Sequence, residues 1–131
     1  MIVDFQKGKA MARTESQENY LETILILSKK KPVVRSVDIA AELGFSKPSI
    51  SIAIKNLKAQ GLVTVTPEGY VYLTDTGTQI AGAVYERHQT LTDALVRLGV
   101  SEKIAEEDAC RIEHIISEET FQAIKKRLAT L

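Results

Sequence analysis

With 131 residues, 44% hydrophobic and 26% charged, the chain is sized for one domain or two small ones around a buried core, which excludes a disordered protein. No apolar run approaches the roughly 18 residues that span a bilayer, and no apolar signal core follows the N-terminus, so a cytoplasmic protein without a membrane partner is expected. Seventeen basic residues balance seventeen acidic ones, yet residues 29–58 hold seven basic against two acidic, an excess suited to phosphate contact, and the lone cysteine excludes an intramolecular disulfide.

Residues 1–13 lack a sustained period and read as a flexible N-terminal tail. Thr14 and Gln17 form a capping-box pattern ahead of Leu21, Ile24 and Leu25, which predicts a helix from about 15 to 30, ended by Lys29, Lys30, Lys31 and Pro32. Ser36 is the expected cap of a short helix over Val37 to Leu43, closed by Gly44. Ser46 then caps a third helix with Pro48 in its first turn, running to about Gln60 and stopped by Gly61. Two short helices about a Gly-containing turn are a helix-turn-helix. Leu62 to Thr66 and Tyr70 to Thr74 flank Pro67-Glu68-Gly69 and read as a β-hairpin.

A long helix follows at about 75–98, with Ile80, Val84, His88, Leu91 and Leu95 in three-and-four spacing, although Gly77 and Gly82 weaken its start. Ser101 caps a fifth helix through about Ile116, and Ser117 a sixth. The predicted fold is mainly α with a small β-hairpin, a winged helix-turn-helix over residues 14–75 followed by a helical domain over 76–131.

On the third helix, Ile50, Ala53, Ile54 and Leu57 cluster on one side at about 100° per residue, the expected core face. The opposite stripe, Ile52 flanked by Pro48, Ser51, Lys55 and Asn56, is small, polar and basic with one apolar residue, and Ser46, Lys47 and Ser49 at the helix start complete the candidate DNA-binding set. Ser46, Ser49 and Lys55 suit phosphate contacts and Ile52 a thymine methyl in the major groove of double-stranded operator DNA; an ordinary solvated face fits the same stripe.

Cys110, Glu113 and His114 fall at i, i+3 and i+4, so a helix through them presents a thiol, a carboxylate and an imidazole together. His88 is the only other histidine, and these residues account for all the histidine and cysteine of the chain. Packing or solvation explains a Glu-His pair as readily as ligation does.

Three segments, Glu18-Asn19-Tyr20-Leu21-Glu22, Val37-Asp38-Ile39-Ala40 through Gly61-Leu62, and Ala109-Cys110-Arg111-Ile112-Glu113-His114, resemble the diphtheria toxin repressor and manganese transport regulator family of metal-dependent transcriptional regulators in its short two-domain form. The resemblance implies a helical metal-binding and dimerisation domain after the winged helix, a homodimer, and divalent transition-metal ligands at Asn19, Glu22, His88, Cys110, Glu113 and His114. Asn19 stands where the family usually supplies aspartate or methionine, and Cys110 where manganese regulators commonly have glutamate. The softer thiolate favours Fe(II) while the carboxylates also suit Mn(II), so Fe(II) or Mn(II) is the implied cofactor. Relatives with three domains continue into an SH3-like barrel; the site is expected to be built from helices 1, 4 and 5.

The implied mechanism is a clamp, in which metal fixes the pose of two reading heads about 34 Å apart and so selects the DNA-competent dimer. Ile80, Val84, Leu91, Leu95, Ile115, Ile116, Ile124 and Leu128 are the expected dimer surface. The competing reading is a metal-independent winged-helix regulator. A metallohydrolase is disfavoured because the sequence has no His-Glu-x-x-His pair, nucleophile elbow or phosphate-binding glycine loop.

Overall fold

The computed structural model describes the backbone of residues 2–130 and the side chains of residues 15–130. The order is α1 (Ile2–Lys30), α2 (Ser36–Leu43), α3 (Lys47–Ala59), β1 (Val63–Val65), β2 (Val71–Leu73), α4 (Asp75–Arg97), α5 (Glu102–Ile112) and α6 (Glu118–Leu128). Two compact units divide this chain, Met1–Gly82 and Ala83–Leu131.

α1 begins at Ile2, so the backbone of residues 2–13, expected as a loose tail, is helical. The stretch Ala10-Met11-Ala12-Arg13 is made of strong helix formers, and Gly8 alone costs only about 1 kcal/mol. α2 is capped by Arg35 rather than Ser36: Arg35 N donates to the Asp38 carboxylate at 2.9 Å, and Lys31 Nζ lies 3.0 Å from the other carboxylate oxygen. Gly44 ends this helix in the left-handed region, at φ 72°, where a Cβ is unwelcome. Ser46 caps α3 as its sequence predicts, its Oγ accepting from Ser49 N.

The strands pair antiparallel in the register Val63↔Leu73, Thr64↔Tyr72 and Val65↔Val71. Val71 N also donates to Val34 O at 2.8 Å, which ties the hairpin to the segment before α2. Leu21, Ile24, Ile39, Ile50, Leu57, Val63 and Val71 form the core of this unit, the inward faces of three helices and one sheet. Thr74 Oγ1 donates to Gly61 O at 2.7 Å and accepts from Gly77 N, which starts α4 against the end of α3. Gly77 is required there, because a Cβ would overlap the Leu62 carbonyl oxygen. The glycine that weakens the helix by propensity is thus the one that lets it approach.

In the second unit Val84, Leu91, Ala105, Ala109 and Phe121 are buried. α5 stops at Ile112, earlier than the expected Ile116. Glu113 is its C-cap, with N–H bonded to Ala109 O, and residues 113–115 turn into α6, which Ser117 caps by accepting from Thr120 N. No helix among the described residues is long and apolar enough to cross a membrane.

Candidate functional site

In the second unit the fold gathers His88 from α4 with Glu113 and His114 from the turn after α5. His88 Nδ1 lies 2.9 Å from Glu113 Oε2, and His114 Nε2 lies 3.2 Å from Glu113 Oε1. The side chain of Glu113 is 0% exposed and that of His114 1%. The contact to His114 lies outside hydrogen-bond geometry, so Oε1 of a fully buried carboxylate is left without a donor. Burial pushes the Glu113 carboxyl up, but the histidines outweigh it: the close approach of His114 and then the hydrogen bond of His88, with the charges of both rings, hold the group below its ordinary value. A buried anion with an unmet oxygen is costly unless a cation joins it, and a carboxylate between two imidazoles is a donor set that suits a divalent transition metal. The residues present fit the metal that the sequence resemblance implies.

Cys110 precedes Glu113 and His114, on α5. Glu113, the C-cap of α5 in right-handed helical geometry, and His114 are buried, while Cys110 stays on the exposed side of α5. It lines a surface depression of about 510 Å³ with His88, Lys103, Glu106, Glu107 and Arg111. In the first unit, Asn19 is half-buried and Glu22 buried, one helical turn apart on α1.

Ser46, Lys47, Pro48, Ser49, Ser51, Ile52 and Lys55 are all exposed, and Ile52 is 62% exposed although it is an isoleucine between two buried ones, Ile50 and Ile54. Ala53, expected in the core face, is half-buried. A depression of about 540 Å³ continues this stripe onto α1, between Ser49, Ile52 and Asn56 on one side and Ser16, Gln17 and Tyr20 on the other. At the hairpin, the Arg35 guanidinium stacks 4.9 Å from the Tyr70 ring centre and Nη2 donates to its hydroxyl at 3.3 Å, fixing the start of α2 to the wing.

Of the expected dimer surface, Ile80 packs against the core of the first unit and Val84 is buried. Leu91, Leu95, Ile124 and Leu128 instead line an apolar groove of about 440 Å³ between α4, α5 and α6, with Leu98, 80% exposed, at its rim. Ile115 is 63% exposed on the turn before α6.

Sequence reasoning missed Arg87. Its guanidinium donates to the carbonyls of Glu113 and Ile116 and to the Glu118 carboxylate. The only sequence signal was its place beside His88.

Comparison with known proteins accounts for both halves. Residues 13–71 match the family described as iron dependent repressor, N-terminal DNA binding domain, and residues 74–131 match iron dependent repressor, metal binding and dimerisation domain. The transcriptional regulator MntR of Escherichia coli is 38% identical over 124 residues, 95% of this chain and 80% of that protein. The diphtheria toxin repressor of Corynebacterium diphtheriae is 30% identical over 118 residues, 87% of this chain and 51% of that protein. A solved manganese-dependent transcriptional repressor in complex with manganese superposes with a TM-score of 0.80 at 30% identity, over 86% of this chain and 52% of that one. The chain therefore spans about half the length of the diphtheria toxin repressor and of that solved repressor, and most of the length of MntR.

Proposed function

The chain belongs to the iron-dependent repressor family of metal-dependent, DNA-binding transcriptional regulators, and from that premise we propose that its homodimer represses metal-uptake genes, binding operator DNA when Fe(II) or Mn(II) is held by Glu22, His88, Cys110, Glu113 and His114 with Asn19. The observation that carries the metal reading is the Glu113 carboxylate, buried between two imidazoles with one oxygen lacking a donor. When bound, a divalent transition metal supplies the positive charge and directed bonds that this donor set accepts.

The protein's own residues do the rest. Glu113 stays anionic because His88 and His114 hold its proton affinity down, so the ligand needs no deprotonation near neutral pH. Lys47 and Lys55 meet phosphates, Ser46 and Ser49 position the helix N-terminus on the backbone, and Ile52 contacts a base edge. The groove of Leu95, Leu98, Ile124 and Leu128 takes the second copy, giving two reading heads that span half-sites about 34 Å apart. A metal-independent regulator is not favoured, since residues 74–131 match a metal-binding domain.

The test is anaerobic titration of DNA binding with Mn(II), Fe(II), Co(II) and Zn(II) on a duplex obtained by in vitro selection against the metal-loaded protein. Binding that rises with Fe(II) or Mn(II) and reverses on chelation supports the proposal. Binding indifferent to chelation refutes it.

A further inference from the structure

Glu86, Arg87 and His88 are consecutive on α4, and at about 100° per residue their side chains fan apart. Arg87 and His88 nevertheless grip a single piece of chain, the turn 113–116 with the start of α6, while Glu86 pairs with the last turn of α6. His88 reaches the Glu113 side chain at 2.9 Å, while Arg87 reaches its main chain: Nη1 donates to Glu113 O at 3.2 Å and to Ile116 O at 3.1 Å. Arg87 Nη2 donates to Glu118 Oε1 at 2.7 Å, and the guanidinium sits 5.2 Å from the ring centre of Phe121, which is buried. Lys125 adds a second tie from α6 to Glu86 at 2.7 Å.

We infer that Arg87 is a positioning residue for metal binding, one that fixes the backbone of the turn so that the Glu113 carboxylate and the His114 ring are held in their ligating pose; this rests on the metal reading above. The bond from His88 constrains only the end of the Glu113 side chain, and the Glu113 N–H bond to Ala109 O holds only the amide side of its main chain, so the carbonyl side depends on Arg87. The carbonyls of Glu113 and Ile116 lie past the last residue of α5, outside its helical ladder, and Arg87 bonds both at once. A planar fork of donors is needed to reach two carbonyls and a carboxylate together, which an ammonium cannot reproduce. Only 21% of the Arg87 side chain is exposed, so these bonds are partly shielded from water.

The experiment compares the parent with Arg87→Met, Arg87→Lys, Glu118→Gln and Glu113→Gln, using Co(II) alone as the probe, with circular dichroism of each apo protein. Two readouts are taken, Co(II) affinity and the ligand-field absorption at saturating Co(II). Arg87→Met should bind Co(II) about tenfold or more weakly, the range for lost support of a metal ligand, and should keep an altered spectrum even when saturated. Arg87→Lys should fall between it and the parent on both. Glu118→Gln, which leaves the two carbonyl bonds, should change affinity by less than about fivefold, the ceiling for an exposed ion pair.

A residue that serves only the fold would give the parental spectrum once the metal saturates the site. That spectrum in Arg87→Met, or an unchanged affinity, overturns the inference; if Arg87→Met does not fold, Arg87→Lys is judged by the same criterion. Parental Co(II) binding by Glu113→Gln overturns the metal reading itself, and with it the role given to Arg87.

Discussion

Replacing Glu113 by glutamine removes one charge at nearly constant volume, and its consequences differ sharply with and without metal. In the apo protein the Glu113→Gln variant gives up the charge-assisted contacts with His88 and His114 but also removes a buried anion whose Oε1 has no donor. These effects oppose one another, so the apo stability should move by no more than about 2 kcal/mol. In the presence of metal the loss is one-sided, because a neutral amide oxygen replaces an anionic ligand. At a free Mn(II) concentration 100 times the parental Kd, binding stabilises the parent by about 2.7 kcal/mol. With an unfolding entropy of roughly 2.1 cal/mol/K per residue over a chain of this length, that raises Tm by about 10 °C if the chain melts cooperatively.

A hundredfold weaker Kd in Glu113→Gln leaves the metal only equal to Kd, worth about 0.4 kcal/mol and about 1.5 °C. Thermal melts of both proteins at matched free Mn(II), with and without chelator, measure the difference directly. A metal-induced gain in Glu113→Gln equal to that of the parent would refute the placement of Glu113 at the metal.

Lys55→Ala should weaken binding to all duplexes alike and lower the salt slope by about 0.9, the signature of one lost phosphate contact, whereas Ile52→Ala should cost about 1 kcal/mol on the preferred sequence and little on random DNA; equal losses on both duplexes for both variants would contradict that division. Asn19→Asp with Cys110→Glu, which hardens the ligand set, should raise the Mn(II) response relative to Fe(II) and Co(II) in metal-dependent melts; an unchanged ratio would remove these two positions from metal selectivity. The Asp38 carboxyl is held low by the hydrogen bond from Arg35 N and then by Lys31. Its contribution to stability is therefore present above its ordinary value and lost as pH falls through its lowered one, so acid titration of Asp38→Asn should lack part of the parental loss below about pH 4.

The core face of α3 was legible because a helix three turns long exposes its period: Ile50, Ile54 and Leu57 are buried and Ile52 is not. The hairpin was equally clear from β-formers around a turn. What spacing could not supply was the site's closure. His88 and Glu113 are 25 positions apart, and only the resemblance of three short segments to a known family put them in one set. Gly77 shows the same limit from the other side. Propensity makes it a flaw in α4, and only the nearby Leu62 carbonyl shows why no larger residue fits. Arg87 was silent because none of its partners lies within helical reach of it in sequence.

Metal dependence of DNA binding is the central claim, and thermodynamic linkage tests it most directly. The Kd for Mn(II) or Fe(II) is measured on the protein alone and on the protein saturated with its selected duplex, and the Kd for that duplex is measured in chelator and in saturating metal. Coupling of about 1–3 kcal/mol should tighten metal binding on DNA by about 5- to 150-fold, and DNA binding in metal by the same factor. Equal metal affinities with and without DNA would contradict the account, because a metal that does not distinguish the two states cannot select between them.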